Sequence, residues 1–306
     1  MFDVVIIGGG PAGLSAAIWC GELGLKYCLV ERSPELGGQL GSIHLPIENY
    51  PGVPRISSAE LLKNLVGSLQ GDSTVRLGVD VFGLHLDPVS ISTGDGERIE
   101  AKALIIATGI RRRELGILGE REFAGKGILD SGARDSEAVS AQNVVVVGGG
   151  DAAIENAVIL APYAAKIYVV HRGATFSARS EFLEKAQRLK NIVFLTEFVV
   201  ESFVGDSELA SVNVRNIIRN KTTEIFATRA LIRIGVVPNT EMFRETLDTD
   251  RDGYIKIDSN CRTNVEGVFA IGDVAYPVSP TIATAAGTGA TAAKSIYALH
   301  KKGLWI

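Results

Sequence analysis

Two glycine-rich turns carry the residues of this sequence that are best suited to chemistry. The first is GGGPAG at residues 8–13, directly after the apolar run Phe2–Ile7. Gly8 permits a tight turn, Gly10 lets a pyrophosphate approach the backbone, and Gly13 lets the next helix pack close to the strand. The N-terminus of that helix would face the phosphates. The turn is therefore typical of a dinucleotide-binding site.

The elements around this turn strengthen the interpretation. The helical run LSAAIWCGEL follows it, and a second strand, KYCLVE, ends at Glu31. In dinucleotide-binding folds, an acid about 20 residues beyond the glycines bonds the ribose hydroxyls. A lone glycine motif is weak evidence, but strand, glycines, helix, strand and acid in this order predict a dinucleotide site.

The same pattern recurs further along the chain. The apolar strand Asn143–Val147 leads into GGGDAA at 148–153, then into the helical run IENAVILAP and the strand KIYVV, which His171 and Arg172 follow. Ala153 stands at the third glycine position, which is tolerated because only helix–strand packing is at stake there. We therefore predict an α/β protein in which a second nucleotide-binding domain is inserted in the first.

Further runs complete these domains. ALIIATGI at 103–110 and GVFAIGD at 267–273 read as strands, and a small-residue helix starts at Thr281. We expect an uncompensated dipole at that helix start to face an electron-rich group, unless the Ala and Gly residues serve only close helix packing. The runs VRLGVDVFGLHL and IRNKTTEIFATRALIRIG fit accessory sheets.

The composition excludes several classes of partner. The chain has 306 residues, enough for two domains, and its net charge of −4 favours neither nucleic acid nor an anionic membrane. No apolar run reaches transmembrane length, and the chain opens on a strand without the charged start of a signal peptide, so we expect a cytoplasmic protein. The basic cluster at 111–113 is interpreted as a solvated linker at a domain junction.

The cysteines are few. Cys20, Cys28 and Cys261 are the three in the chain, and none belongs to a C-x-x-C motif. Cys20 and Cys28 flank a helix-to-strand turn, and we expect buried thiols rather than a disulfide between them. No metal site is predicted.

Taken together, the motifs resemble the low-molecular-weight thioredoxin reductase family of FAD flavoproteins over essentially the whole chain. Their order and spacing carry the resemblance, since no single piece is decisive. The matching pieces are GGGPAG at 8–13, Glu31 with GGQL at 37–40, ENYPG at 48–52, ATG at 107–109, GGGDAA at 148–153, HR at 171–172, IGVVPNT at 234–240 and GVFAIGDV at 267–274.

The resemblance implies two Rossmann-like, three-layer ββα dinucleotide-binding domains, the second inserted in the first. FAD would occupy a domain made of 1–112 and 246–306, and a pyridine-nucleotide-type domain would span 113–245. It also implies a homodimer and a rotation between the domains during turnover. In the inserted domain, the nucleotide-binding positions would be Gly148, Gly150, Asp151, Ala153 and Arg172.

The resemblance also implies the FAD contacts. Gly8, Gly10 and Gly13 would hold the pyrophosphate, Glu31 the adenosine ribose and Asp273 the ribitol. The remaining positions matched to FAD are Pro11, Ala12, Gly38, Gln39, Leu40, Asn49, Asp80, Val81, Ala107, Thr108, Gly109, Gly272, Thr281 and Ile282. Of these, Gln39 and Asn49 would lie beside the flavin.

One departure from the family concerns its redox-active cysteines. In thioredoxin reductases a C-x-x-C followed by Asp precedes the second glycine motif, and these positions fall on Ser131, Arg134 and Asp135 in the segment SGARD. Neither Ser nor Arg forms a disulfide or a flavin–sulfur adduct, and residues 29–260 contain no cysteine, so dithiol chemistry by the family's route is excluded. The three residues are candidates to face the flavin or the substrate, with Arg134 as a contact for an anionic group. Asp135, which protonates a thiolate in the family, is expected here to pair locally.

A second departure concerns the nucleotide. The family reads the 2′-phosphate of NADPH with H-R-R-x-x-x-R, whereas this chain has HRGATFSAR at 171–179. Arg172 fits the first arginine, Gly173 and Ser177 replace the others, and Arg179 lies two residues late. Losing two arginine contacts should weaken selectivity for NADP, which leaves NADH, another nucleotide or no nucleotide open.

A third departure lies near the flavin. Pro280 and Thr281 stand where the family has Arg-Gln, which removes two polar flavin neighbours. Trp305 close to the C-terminus is predicted to stack on a flavin face at the dimer interface or, equally well, to be buried in a subunit contact.

Three functions compete. The favoured one passes electrons from NAD(P)H through FAD to an acceptor that is not a disulfide, such as ferredoxin, a quinone or oxygen. The second is a thioredoxin-reductase-like flavoprotein independent of pyridine nucleotide, either linked to ferredoxin or carrying a second FAD in the NADPH site. The third is a redox-sensing flavin-binding protein. The intact GGGDAA motif favours the first over the second.

Overall fold

The computed structural model describes residues 1–303 and divides the chain into two compact units. Unit 1 consists of Met1–Arg111 together with the chain from Val237 onward, and unit 2 consists of Arg112–Val236. The inserted stretch therefore ends at Val236, before the predicted boundary at 245. Trp305 lies outside the described residues.

Residues 1–303 contain five α-helices and seventeen strands. The helices are α1 (Pro11–Glu22), α2 (Ser58–Gly67), α3 (Asp151–Leu160), α4 (Ser180–Gln187) and α5 (Ile282–Lys301). The strands are β1 (Phe2–Ile7), β2 (Tyr27–Glu31), β3 (Ser73–Leu77), β4 (Val81–Leu86), β5 (Val89–Thr93), β6 (Arg98–Ile106), β7 (Ile110–Arg112), β8 (Ile128–Leu129), β9 (Asn143–Val147), β10 (Lys166–His171), β11 (Ile192–Thr196), β12 (Phe198–Gly205), β13 (Leu209–Asn216), β14 (Lys221–Phe226), β15 (Arg229–Ile232), β16 (Val236–Pro238) and β17 (Val268–Ala270).

Unit 1 is built on a seven-stranded sheet. Six of its strands have the order β3-β2-β1-β6-β5-β4, and the seventh, β17, pairs with the C-terminal end of β6. Strands β1, β2, β3, β6 and β17 run parallel, whereas β4 and β5 form an antiparallel arm that continues from β6. The run VRLGVDVFGLHL is thus split, because β3 extends the parallel sheet and only β4 is accessory.

The side chains of β1 point alternately to the two faces of the sheet and contribute to two hydrophobic cores in unit 1. Val4 and Ile6 pack with helices α1 and α5 on one face, while Val5 and Ile7 pack with the antiparallel arm and residues such as Phe243 on the other. A parallel strand covered on both faces is apolar along its whole length, which explains the run VVII. The three layers of unit 1 are therefore helices, parallel sheet and antiparallel sheet.

Unit 2 repeats this arrangement. Its parallel sheet has the order β11-β10-β9-β15-β8, and strands β12, β13 and β14 form an antiparallel sheet of three. One face of the parallel sheet packs on α3 and α4, and the other packs on the antiparallel strands through residues such as Val145 and Phe203. Within IRNKTTEIFATRALIRIG, β14 is accessory but β15 belongs to the parallel sheet.

Residues 237–245 belong to unit 1 because of specific contacts with it. Asn239 Nδ2 donates to the carbonyl of Thr108 at 2.7 Å, Thr240 Oγ1 donates to the carbonyl of Gly253 at 2.8 Å, and Phe243 is 1% exposed in the unit 1 core. From the sequence, the inserted domain is predicted to extend to residue 245, because these partners are far apart in the chain and no motif links them.

Three further findings bear on the sequence predictions. All three cysteines are free and buried. In the part of the chain that the structure describes, no helix is both long and apolar enough to cross a membrane. Over the same residues, no three His, Cys, Asp or Glu side chains are grouped as a metal site requires.

Candidate functional site

The first glycine turn is closed by backbone approaches that only glycine permits. Gly8 has φ +107°, and a Cβ there would lie 2.4 Å from the carbonyl oxygen of Ala107, at the end of β6. A Cβ on Gly13 would lie 1.9 Å from the carbonyl oxygen of Gly8. These contacts fix the start of α1 against the ends of β1 and β6.

The space above this turn is open. A Cβ on Gly10 would have only the Cα of Gly38 within 4.0 Å, so Gly10 and Gly38 face each other as two bare backbones. Gly10 is the N-cap of α1, which has no side-chain cap and no acidic residue in its first turn. An open cradle at an uncapped helix N-terminus fits an anion such as a pyrophosphate.

Glu31 lies at the rim of the same turn. Its carboxylate is buried and accepts hydrogen bonds from the N–H of Gly9 at 2.6 Å and of Ser33 at 2.8 Å. These bonds orient the carboxylate, and each oxygen can accept a further hydrogen bond. The arrangement suits a ribose with two hydroxyl donors.

Asp273 follows β17 at the other side of the turn. It is half-buried, burial raises the pKa of its carboxyl, and within residues 1–303 it has no hydrogen-bond or ion-pair partner. A desolvated carboxylate without a partner is costly unless a ligand supplies a donor. Asp273 therefore fits a hydroxyl group of a bound ligand.

The start of α5 differs from the prediction. Thr281 is the N-cap, and its Oγ1 accepts a hydrogen bond from the N–H of Thr284 at 3.2 Å, so the helix start is not uncompensated. Close packing is present as well, since Ser15 Oγ donates to the carbonyl of Ala286 at 2.6 Å and a Cβ on Gly289 would lie 2.5 Å from the carbonyl of Ala12.

Other predicted positions in unit 1 are distributed around this turn. Gln39 and Asn49 are both exposed, and Gln39 Nε2 donates to the carbonyl of Ile110 at 3.2 Å. Thr108 is held by Asn239 through two hydrogen bonds, of 2.8 and 2.7 Å. Asp80 is exposed and Leu40 is buried at 1% exposure. The remaining positions predicted to bind FAD lie in the same segments, at Pro11, Val81, Gly109, Gly272 and Ile282.

The second glycine turn has the same local geometry. Gly148 has φ +143°, and a Cβ there would lie 2.1 Å from the carbonyl of Arg233 and 3.0 Å from Cβ of Ala153. The turn is also covered by its own chain, since the N–H and Oγ of Ser177 both bond the carbonyl of Gly149, at 2.9 and 3.3 Å. Gly150 itself stays open, with Ser177 Oγ 3.7 Å from its Cβ position.

Of the two arginines in the loop beside the second glycine turn, one is paired with a carboxylate and, among residues 1–303, the other is not. Asp151, in the first turn of α3, accepts hydrogen bonds from the backbone and Nε of Arg179, both at 2.7 Å. Arg179 is therefore occupied. Arg172 is exposed and, in the described part of the chain, has no hydrogen bond or ion pair. Only Arg172 is thus free among the arginines of this loop to contact a phosphate.

The segment at 130–135 forms one hydrogen-bonded turn. The N–H of Asp135 donates to the carbonyl of Ser131 at 2.9 Å, and the N–H of Arg134 donates to Ser131 Oγ at 3.3 Å. Asp135 Oδ2 in turn accepts from the N–H of Asp130 and of Ser131, both at 3.0 Å. The side chains at 131 and 135 therefore cap the turn.

Ion pairs close this turn further. Arg134 contacts Asp135 at 2.5 Å and Asp130 at 3.1 Å. Partial burial works to raise the pKa of Asp135, but hydrogen bonds from Arg134 and the N–H groups of Ser131 and Asp130 outweigh it and hold the pKa below its usual range. Asp135 is consequently an ionised carboxylate that accepts hydrogen bonds, and it is not poised to give a proton.

Two further arginines converge on the carbonyl of Asp130. Arg233 Nη2 donates to it at 2.7 Å, and Arg112 Nη1 donates to it as well. Arg111 is also engaged, since it pairs with Glu241 at 2.5 Å. Arg111, Arg112 and Arg113 are all exposed and lie where the chain passes from unit 1 to unit 2, which agrees with the interpretation as a solvated linker, although the guanidinium groups of Arg111 and Arg112 also have partners distant in sequence.

Known proteins match this chain along most of its length. A family model described as pyridine nucleotide-disulphide oxidoreductase matches residues 2–290. The chain belongs to this family. It is 33% identical to a thioredoxin reductase of Peptoclostridium acidaminophilum over 301 residues, which cover 96% of this chain and 95% of the relative. It is also 33% identical to a 34.2 kDa protein in the rubredoxin operon of Clostridium pasteurianum over 299 residues, covering 95% of this chain and 94% of that protein.

The fold agrees with a solved structure of this oxidoreductase family. The crystal structure of Lactococcus lactis thioredoxin reductase superposes with a TM-score of 0.83 at 33% identity, covering 99% of this chain and all of that chain. The predicted α/β fold with Rossmann-type sheets is confirmed. The chain is a flavin-dependent oxidoreductase with a thioredoxin-reductase-like fold.

Several residues of this oxidoreductase were not found from sequence. Asn239 forms hydrogen bonds with Thr108. The side chains of Arg112 and Arg233 donate to the carbonyl of Asp130, and Asn156 accepts a hydrogen bond from the N–H of Gly132 at 3.0 Å. Arg233 gave one signal, since it interrupts the apolar run ALIRIG at the end of a strand.

Proposed function

We propose that this flavoprotein transfers electrons from NAD(P)H through FAD to an acceptor that is not a disulfide. The observation that carries the proposal is the turn at 130–135, where ion pairs stand at the positions of the family's cysteines. Bound FAD supplies reversible two-electron chemistry, which takes a hydride from a reduced nicotinamide and returns electrons to an acceptor.

Unit 1 fits FAD on its own geometry. The open cradle at Gly10 and Gly38 would hold the pyrophosphate, Glu31 would accept hydrogen bonds from the adenosine ribose, and Asp273 would accept one from the ribitol. The cradle is open, Asp273 has no partner among residues 1–303, and each carboxylate oxygen of Glu31 can accept a hydrogen bond beyond those from Gly9 and Ser33.

The turn at 130–135 supports an acceptor other than a disulfide. Thiol–disulfide exchange requires a thiolate that can attack a disulfide sulfur. Ser131 Oγ instead accepts a hydrogen bond from the N–H of Arg134, and the guanidinium of Arg134 is shared between Asp130 and Asp135. The three thiols of the chain are buried, and burial raises the pKa of Cys20 to about 12 and those of Cys28 and Cys261 to about 11.

Unit 2 supports a pyridine nucleotide with little preference for a 2′-phosphate. The turn at Gly148 and Gly150 keeps the geometry of a pyrophosphate site. Arg172 is the one loop arginine without a partner among the described residues, because Arg179 is paired with Asp151. One guanidinium supplies at most one bidentate contact, so NADH and NADPH should bind with similar affinity.

The acceptor is proposed from chemistry and from one relative. Without a thiol at 131 or 134, electrons must pass directly from the flavin to a one-electron carrier, a quinone or oxygen. The Clostridium pasteurianum relative is described as a protein of a rubredoxin operon, which supports a small iron-containing electron carrier.

A second candidate is a flavoprotein independent of pyridine nucleotide and reduced by a ferredoxin-like carrier. The contacts of Ser177 with Gly149 favour it, because they cover one side of the second glycine turn. The relatives described above give no support for a second FAD in unit 2, so this variant is not proposed. Redox sensing has no specific observation in its favour.

An anaerobic stopped-flow experiment tests the first proposal. The FAD-loaded protein is mixed with NADH or NADPH while the visible absorbance of the flavin is followed, and the reduced protein is then mixed with each acceptor. We expect bleaching by both nucleotides at rates within about tenfold of each other, since one charge-assisted contact separates them. Reoxidation should follow with oxygen, a quinone or rubredoxin, and not with thioredoxin disulfide or an aromatic disulfide.

The outcomes separate the candidates. Bleaching by neither nucleotide, with reduction by dithionite or reduced ferredoxin intact, would exclude the first proposal and support the second. Rapid reoxidation by a disulfide would contradict both, because the described thiols are buried.

The homodimer and the cytoplasmic location remain predictions, and so do the domain boundaries. We propose a dimer as the working assembly because the family resemblance implies one. Size-exclusion chromatography with light scattering would give a mass of twice 32.5 kDa if the dimer is correct.

A further inference from the structure

Two guanidinium groups of unit 2 meet at one backbone oxygen. Arg233 Nη2 and Arg112 Nη1 both donate to the carbonyl of Asp130. Within residues 1–303, Arg233 donates otherwise only through Nη1, to its neighbour Ile232, and Arg112 has no other side-chain hydrogen bond. Nε of Arg233, and Nε and Nη2 of Arg112, therefore keep donors without an acceptor.

Neither group is neutralised by a carboxylate. Arg112 and Arg233 form no ion pair among the described residues, and the two nearby carboxylates, Asp130 and Asp135, are both committed to Arg134. Three guanidinium groups thus face two carboxylates, which leaves one positive charge uncompensated. Burial lowers the pKa of Arg233 to about 10, and repulsion from Arg112 contributes in the same direction.

Arg112 and Arg233 meet at the edge of the parallel sheet where ligands of such sheets bind. Arg233 directly follows β15, and Asp130 directly follows β8, the neighbouring parallel strand. Both lie at the carboxyl edge of the sheet, where ligands of open α/β sheets bind. The backbone of Arg233 also meets the second glycine turn, since its carbonyl lies 2.1 Å from a Cβ position on Gly148. Arg172 lies beyond β10, on the opposite side of β9 from β15.

We infer that Arg112 and Arg233 form an oxyanion site that takes the carboxylate or phosphate group of a small molecule at the carboxyl edge of unit 2. Its donors are the guanidinium groups of Arg112 and Arg233. Both donate a hydrogen bond to the carbonyl of Asp130, which fixes their orientation before a ligand arrives. The group bound would be carried either by the nucleotide or by an anionic electron acceptor. Both sources rest on the proposed function, whereas the site itself does not require turnover.

Calorimetric titration with inorganic phosphate tests the site in the FAD-loaded protein, in a chloride buffer. The variants are Arg112→Gln and Arg233→Gln, and the control is Arg121→Gln, an exposed arginine of the same unit paired with Glu114 at 2.9 Å. We expect saturable binding to the wild-type protein and to the control, and binding at least about tenfold weaker in each variant, because each loses a charge-assisted contact. Absence of saturable binding to the wild-type protein, or full affinity in either variant, would overturn the proposal.

Folding and ligand source are controlled separately. Circular dichroism and flavin absorbance verify that each variant is folded and binds FAD. If Arg233→Gln fails to fold, the Arg112→Gln variant, at an exposed position, provides the test alone. Repeating the titration with NADH present identifies the source of the anion. Loss of phosphate binding shows that the nucleotide's phosphate occupies the site, and retained binding shows that the site is free for an anionic acceptor. Failure of the stopped-flow reduction would leave this binding result unaffected.

Discussion

Asp135→Asn should loosen the turn at 130–135 without unfolding unit 2. The wild-type carboxylate is 16% exposed, caps the N–H groups of Asp130 and Ser131, and pairs with Arg134. A hydrogen bond to a charged group contributes about 1.5–3 kcal/mol, and an N-cap about 0.5–2 kcal/mol. Asn keeps one oxygen acceptor but loses the charge, so we expect local opening to become about 1–2 kcal/mol easier.

Native-state hydrogen exchange measures this opening directly. The amides of Asp130 and Ser131 should exchange about 5–30-fold faster in the variant, which is the factor that 1–2 kcal/mol produces. Amides of the strand Asn143–Val147 should be unchanged. Asp206→Asn is the matched control, since Asp206 is an exposed carboxylate of the same unit with no hydrogen bond or ion pair among the described residues.

The sign of the pH dependence gives a second check on Asp135. Its pKa is lowered in the folded protein, so its stabilising contribution is complete above the unfolded value of about 3.9 and is lost as the pH falls through the folded value. The difference in thermal midpoint between wild type and Asp135→Asn should therefore be constant from pH 5 to 7 and shrink below about pH 4. Exchange rates within twofold of wild type at both amides would refute the capping role.

Three other substitutions test the remaining assignments. Gly13→Ala places a Cβ 1.9 Å from the carbonyl of Gly8, and overpacking of about 1–3 kcal/mol should lower the flavin content of the purified protein at least about fivefold. Arg172→Gln should slow reduction by NADPH about tenfold and leave reduction by NADH unchanged, as the stopped-flow rates would show. Asp273→Asn should raise the thermal midpoint of the flavin-free protein at pH 7 by about 2–4 °C, because burial raises the pKa of Asp273 and the folded state loses stability as the pH rises above about 3.9.

Each of these has its own control. Gly41→Ala should keep its flavin, since no atom lies within 4 Å of a Cβ there, and equal loss in both glycine variants would argue against the turn. Arg188→Gln removes an exposed arginine paired with Glu184 and should leave the NADPH rate unchanged. For Asp273→Asn, a midpoint that stays below the wild-type value at pH 7 would mean that the carboxylate has a stabilising partner.

The sequence was sufficient where the physical requirement is local. Gly8, Gly13 and Gly148 are required by approaches between a turn and the strand or helix next to it, and these follow from a short motif. Glu31 was predictable for the same reason, since it ends a strand paired directly with the motif strand. The α/β fold followed because apolar strands and glycine turns occur twice in the same order.

Residues that act through distant partners could not be placed in this way. Asn239 holds Thr108 across 131 positions, and Arg233 reaches the carbonyl of Asp130 across 103. No spacing rule links such positions, since the fold alone brings β8 and β15 side by side. The contacts that join residues 237–245 to unit 1 are equally distant in sequence.

The turn at 130–135 shows how one backbone shape can serve two chemistries. The hydrogen bond from the N–H of Asp135 to the carbonyl of Ser131 makes a single helical turn, in which side chains three positions apart lie on one side. Two cysteines at such positions could face each other, whereas here Ser131 Oγ accepts a hydrogen bond from the backbone N–H of Arg134, and the guanidinium of Arg134 pairs with Asp135 and Asp130. A turn closed by charges does not open on reduction, so its state is independent of redox potential. Its closure also commits Asp130 and Asp135 to Arg134, which leaves the guanidinium groups of Arg112 and Arg233 without a carboxylate partner among residues 1–303.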